Sequence, residues 1–367
     1  MTQSGDKARL AAVVGLVALA WLPIVLLSAL TSSDHADPLL LRAEPHTRLL
    51  LALVVLLLAE PALDRRIGMA AHGWITDGLQ PLERERWRAT LQRFRRLRDS
   101  KAFEAIWLAL MYGMLALAYF DLLPSAALRW LLSTLHGVQW ADATLAWWWY
   151  VIVAQPLLLL LIGRWLYRWV LWTLLVGRLS RLRPDVRASH GDGVGGLSVL
   201  RLPLDALPAF VLALGSAIAS VWFDEIAAGK ADVSTYAGDL LGFLALCVGL
   251  MIVPYVVLMP SLVRARELAI VEYGELARRC AVEFEQRWIE GAPQERGDLL
   301  EHPDVSALAD LRSITDGIER MRVLVPSADD LKWLLVAAIL PFLAVVLAQA
   351  PSAVDVLHTA VLRFIGG

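Results

Sequence analysis

The chain has 367 residues, 58% of them hydrophobic and only 19% charged, with a formal net charge of −2. A soluble domain sits near 45–50% apolar and about 25% charged, so the excess is more than one aqueous core buries. These figures exclude a disordered chain, a collagen-like repeat and a small disulfide scaffold, and the near-neutral charge argues against a nucleic-acid partner.

A helix needs about 20 apolar residues to cross a hydrocarbon core of roughly 30 Å. Leu10–Leu30 meets that length without a charge, behind Lys7 and Arg9. It is longer than a secretory h-region, so a retained first span is expected rather than a cleaved signal. Leu49–Leu63 is a short second span that carries Glu60 and Pro61. Ala105–Leu123, Leu145–Gly163, Leu202–Phe223, Leu240–Val263 and Trp333–Ala350 follow. The expected fold is therefore all-α, a polytopic membrane bundle of about seven transmembrane helices with amphipathic cytoplasmic helices.

With the N-terminus inside, the inner segments hold 29 Lys and Arg and the outer segments hold 5. Lysine and arginine are retained on the cytoplasmic side, so the N-terminus is expected to be cytoplasmic and the C-terminus periplasmic. The organisation then reads 1–63, spans one and two; 64–104, a basic amphipathic segment; 105–182, spans three and four with an arginine-rich extension. It continues with 183–201, a glycine-rich loop; 202–263, spans five and six; 264–331, a cytoplasmic helical hairpin; and 332–367, the last span and an outer C-terminus. Trp147-Trp148-Trp149-Tyr150, Trp222 and Trp333 lie at span ends and read as an aromatic belt.

In the first cytoplasmic segment, Trp87, Leu91 and Phe94 share one helical face among the arginines of Arg84–Arg98. A basic amphipathic helix beside a span is expected to lie on the anionic lipids of the inner leaflet. After the sixth span, one apolar stripe runs Leu268, Tyr273, Leu276, Cys280, Phe284 and Trp288. A second runs Leu308, Leu311, Ile314, Ile318, Met321 and Val325. Neither helix can bury its own stripe, so an antiparallel hairpin is expected, packed on itself or on residues 64–101.

Few polar groups lie at membrane depth. Glu60 falls about 17 Å into the core, counted from Leu49, where an ionised acid must be paired, protonated or watered. Arg164 and Arg168, one turn apart, reach the same depth on the fourth span, which predicts a Glu60–Arg164 or Glu60–Arg168 pair. Gln155 and Tyr255 are the polar neighbours of Pro156 and Pro254, two of the prolines that interrupt the spans. Each proline removes a donor and frees a carbonyl that neighbours or water must satisfy. Glu60, Gln155 and Tyr255 are thus the candidate lining of a polar path.

The glycine-rich stretch Ser189-His190-Gly191-Asp192-Gly193-Val194-Gly195-Gly196-Leu197 can approach other groups closely. His190 and Asp192, with a second pair at His302 and Asp304, are candidate metal ligands, though both pairs read better as helix-capping turns. No P-loop, Ser–His–Asp set, HExxH or paired carboxylates appear, so no catalytic residue and no cofactor is expected.

These stretches carry a resemblance. Trp147–Tyr150, Arg164-Trp165-Leu166-Tyr167-Arg168, Leu179-Ser180-Arg181-Leu182, the loop His190-x-Asp192-x-x-Gly195-Gly196-Leu197, Glu272-Tyr273-Gly274 and Ser306–Leu311 together resemble an uncharacterised family of bacterial multi-pass inner-membrane proteins. The family reads His-Pro-Asp where this chain has His190-Gly191-Asp192. The resemblance implies a bacterial inner-membrane location and no functional residue, because no activity is attached to the family. Passage of a small ion or solute is the leading functional expectation, motivated by the kinked spans and Glu60. A membrane-anchored sensor or scaffold acting through its cytoplasmic layer is the alternative, and homo-oligomerisation is open to either.

Overall fold

The computed structural model describes residues 3–31, 38–77, 81–119, 144–182, 184–290 and 303–349. Among them the regular structure is helical throughout. Seven helices are long and apolar enough to cross a membrane. Their outward faces carry Leu10, Val14, Leu26, Ile106, Leu110, Leu241 and Leu340 in the open. Rows of exposed leucine, valine and isoleucine on the spans around the central one suit hydrocarbon and not water. The chain is a multi-pass membrane protein of the all-α class.

The first span is α1 (Gln3–Thr31). The second, α2 (43–77), is continuous from Ala43–His46 through a wide π turn, Thr47–Ala52, to Leu53–Asp77. It is far longer than the expected Leu49–Leu63, because Arg48, Glu60 and Asp64 find partners inside the bundle. Next, α3 (Pro81–Arg98) ends at a break from α4 (Lys101–Tyr119), the third span. The fourth, α5 (145–180), again contains a π turn, Tyr150–Ala154, and runs on to Ser180. A 3-10 segment, Ser198–Ala206, leads into α6 (Leu207–Ala227), and α7 (Ala237–Val256) follows. The sixth span stops at Val256 and not at Val263, since Pro260 has no N–H to continue the helix and instead opens α8 (Met259–Glu285). The amphipathic α9 (Pro303–Glu319) and the last span, α10 (Ala328–Gln349), complete the order.

The central helix is α6. Beyond Leu207, Phe210 and Val211 its buried residues are Ala213, Gly215, Ser216, Ala217, Ala219 and Ser220, small enough for neighbouring backbones to come close. Gly215 lies against Pro341 and the Ala338 carbonyl of α10. The serine hydroxyls donate back to Leu212 O and Ala217 O, so they add no open polar group to the core. Aromatics close the remaining sides. Trp165 stacks on Phe210 with ring centroids 5.2 Å apart, and Trp147 and Tyr150 turn inward to full burial, away from the belt expected of them.

The carbonyls freed by two prolines find donors on other helices. Pro254 leaves Leu250 O without its helical partner, and Trp169 Nε1 of α5 donates to it at 2.8 Å. Pro156 does the same to Ile152 O, which accepts from Tyr112 of α4 at 3.0 Å. Trp107 of α4 donates to Leu159 O and lies flat against Gly163. A Cβ at Gly163 would come within 2.4 Å of the indole. Gly163→Ala should therefore cost about 1–3 kcal/mol by overpacking, although alanine is the better helix former. Thermal unfolding in detergent micelles checks this, and a variant of equal or higher stability would contradict the contact.

Beyond the spans, α8 and α9 pack on each other. Ile318, Met321 and Val325 are buried, as are Ala269 of α8 and Trp288 of the π turn, Gln286–Glu290, that continues it. Leu268, Leu276 and Ile314, which the stripes placed inside, stay exposed. The connection 291–302 lies outside the described residues.

Candidate functional site

Three polar assemblies sit on this scaffold. The first joins α2, α4 and α5 near the arginine-rich end of the bundle. Glu60 is nine-tenths covered and contacts both Arg164, at 2.6 Å, and Arg168. Arg168 also reaches Asp64 at 3.3 Å, and Arg164 reaches Glu104 at 3.6 Å. The reason is periodicity: Glu60 and Asp64 are one turn apart on α2, and Arg164 and Arg168 are one turn apart on α5. Two pairs at the same spacing, on facing helices, close a four-membered cluster. The sequence supports one arginine or the other as the partner of Glu60, and the bundle uses both. Asp64 and Glu104 were missed because each lay in a segment read as a linker end.

The second assembly lies toward the other end and was not anticipated. Arg48 is buried, pairs with Glu44 one turn earlier, and donates to Tyr150 Oη and Gln155 Oε1, each at 3.3 Å. Asp224, at the far end of α6, accepts from the backbone N–H groups of Ala43 and Glu44 at 2.7 and 2.9 Å. Its charge thereby satisfies the first donors of α2. Arg48 falls within one π turn, and Tyr150 opens the other. Wide turns of this kind rotate side chains off the regular helical face and occur often at functional positions. Below Arg48 and Gln155 a cleft of about 50 Å³, walled by Leu158, Leu159, Ile162 and Leu214, has room for a few waters. Sequence reading could not find this group, because Arg48 looked like the last residue before a span.

Tyr255, the third polar candidate at membrane depth, is fully buried and lines neither cleft. It accepts from Trp172 Nε1 at 3.2 Å and donates to Leu200 O at 2.9 Å. It is a clasp between α5, α7 and the 3-10 segment.

The third assembly is the glycine-rich loop. Asp192 Oδ1 accepts from the N–H groups of Val194 and Gly196, each at 3.0 Å, and Oδ2 accepts from Ser198 N–H at 3.0 Å. Burial pushes the Asp192 carboxyl up, but these three donations outweigh it and hold it below the ordinary carboxylate range. His190 is half exposed, with Nδ1 3.1 Å from the same carboxylate. Gly195, at φ +67°, has Val186 and Met321 so close that a Cβ would clash with the valine at 2.4 Å. Gly193 O accepts from Arg322 N–H at 2.9 Å, so the loop holds the end of the α9 segment. His302 lies outside the described residues, and among those described no three His, Cys, Asp or Glu side chains gather as metal ligands would.

At the same level, Asp330 and Ser327 cap the start of α10 reciprocally, with Ser327 N–H donating to Asp330 at 2.7 Å. Arg201 donates to both Asp330 oxygens at 2.8 and 2.9 Å, and Arg66 reaches Asp205 at 3.6 Å. These pairs run across α2, the 3-10 segment and α10 where their apolar stretches end. Comparison of the chain with protein-family models, curated proteins and solved structures finds no match.

Proposed function

We propose that the protein is a membrane-anchored scaffold or sensor that acts through its helical layer on the arginine-rich side. One observation carries this reading. Among the described residues, the charged side chains buried in the bundle, Glu44, Arg48 and Glu60, are closed by partners, whereas α8 beyond the bundle exposes several apolar side chains. Leu268, Val271 and Val282 stand exposed on α8, with Val271 72% exposed. The Asp192 loop supports the reading as well, because it fastens this layer to the spans and would transmit a change in either to the other.

The arginine-rich side is assigned to the cytoplasm on the excess of Lys and Arg, with the N-terminus there and the C-terminus periplasmic. A bacterial inner membrane is the location that accompanies this orientation. Passage of a small ion or solute is the second reading, favoured by the cleft under Arg48 and Gln155 between the two π turns. In that case Leu158, Leu159 and Ile162 are the barrier between the two charged assemblies.

Proteoliposomes separate the two readings. The scaffold reading expects proton and chloride leak no greater than in empty vesicles, measured with enclosed dyes. It also expects slower hydrogen exchange along 268–289 in native membranes than in purified protein, where partners are lost. A flux that Arg48→Gln or Glu60→Gln alters would overturn it in favour of passage, and identical exchange in both settings would remove the partner surface.

A further inference from the structure

A cleft opens between α2, α3 and α5, on the arginine-rich side of the Glu60 cluster. Its walls are apolar: Ile67, Ala71, Leu91, Phe94, Leu171 and Leu175. Its polar lining is Arg95, Arg98, Arg168 and His72; Arg168 is held by Glu60 and Asp64, and Arg98 donates Nε to Asp99 at 2.8 Å, which leaves its terminal N–H groups for the cleft. The walls form because α3 turns Trp87 and Leu91 into the bundle, and Trp87 Nε1 donates to Ala71 O at 3.2 Å. Arg95 and Arg98 are three residues apart, so they share a helical face at the mouth.

We infer that this cleft holds one anionic phospholipid, with its phosphate between Arg95 and Arg98 and the start of an acyl chain along Leu91, Phe94 and Leu171. Three observations converge on that occupant. The cleft lies at the depth where the Arg66–Asp205 and Arg201–Asp330 pairs mark the end of the apolar stretches, which is headgroup depth. The α3 helix carries seven arginines against two glutamates, a field that attracts anions and repels a choline or ethanolamine cation. At the mouth, Arg95 meets the unprotonated face of His72 at 2.6 Å, since His72 Nδ1 donates to Gly68 O at 2.7 Å. That contact leaves the remaining N–H donors of Arg95 for phosphate oxygens, which guanidinium groups bind in pairs. A free phosphate would gain nothing from the hydrocarbon walls.

The inference goes beyond the scaffold reading and stands whether or not the bundle passes a solute. Its test is native mass spectrometry of the full chain in neutral detergent, titrated separately with phosphatidylglycerol, phosphatidylcholine and glycerol 3-phosphate. Phosphatidylglycerol should be retained, with the other two bound at least about tenfold more weakly. Arg95→Ala with Arg98→Ala should lower phosphatidylglycerol retention by about tenfold or more. Gly68→Leu, where a Cβ meets nothing within 4 Å, should do so by filling the cleft with all charges kept. Unchanged melting temperatures establish that the variants fold, and the arginine pair alone decides if Gly68→Leu does not. Equal binding of glycerol 3-phosphate would overturn the lipid assignment. An equal loss from Arg93→Ala with Arg96→Ala, which lie off the cleft, would reduce the site to diffuse attraction, and retention unaffected by Arg95→Ala with Arg98→Ala would remove it.

Discussion

Glu60→Gln should destabilise the bundle by about 3 kcal/mol, the low end of the roughly 3–5 kcal/mol that follows loss of one partner from a buried ion pair. The low end applies because Arg168 keeps Asp64, and Arg164 keeps Glu104 and is about one-third exposed. Arg168, only 11% exposed, is the guanidinium left with the larger uncompensated charge. The double variant Glu60→Gln with Arg168→Gln should therefore lose less than the two single variants added together, whereas pairing with Arg164→Gln should restore less. Thermal unfolding in lipid nanodiscs measures the three single and two double variants against the wild type. Strict additivity for both doubles would mean that Glu60 does not depend on either arginine.

Asp192→Ala should cost about 3 kcal/mol, since it orphans three backbone donors in a loop where Val194 and Leu197 are fully buried. Asp192→Asn keeps an acceptor oxygen and should lose about half as much. The effect should concentrate where the loop holds the α9 segment, so hydrogen exchange should accelerate at Arg322 and along Ile318–Val325 before the spans respond. The pH dependence has a definite sign. A carboxyl held below its unfolded value contributes its full stability above the ordinary aspartate range near pH 4, and that contribution is lost as the pH falls through the lower folded value. Acid should thus loosen this layer in the wild type and leave Asp192→Ala unaffected by that route.

Hydropathy and charge made the seven spans legible, because a hydrocarbon layer imposes length and composition on every helix that crosses it. The same rule hid Arg48. A span is recognised by its uncharged run, so a buried arginine at its edge is assigned to the loop. Nor do the π turns at Thr47–Ala52 and Tyr150–Ala154 have a signature in composition, since they arise from how α2 and α5 meet. The Glu60 cluster was half legible: depth and spacing named the acid and both arginines, but only packing decides that one acid serves two. On α8 the stripe was too inclusive. Its outer members, Leu268 and Leu276, belong by spacing to a face that the described residues leave exposed.

The proline-freed carbonyls carry an implication for how the bundle assembles. Leu250 O is satisfied by Trp169, and Ile152 O by Tyr112. In both cases the donor belongs to a helix that leaves the ribosome earlier than the helix bearing the acceptor. A kinked segment entering the bilayer alone would expose a bare carbonyl to lipid, where no water can serve it. Here the aromatic donor is already in place when each kinked segment arrives. At these two breaks the order of residues along the chain is therefore also a workable order of insertion, with the closing donor made before the carbonyl it serves.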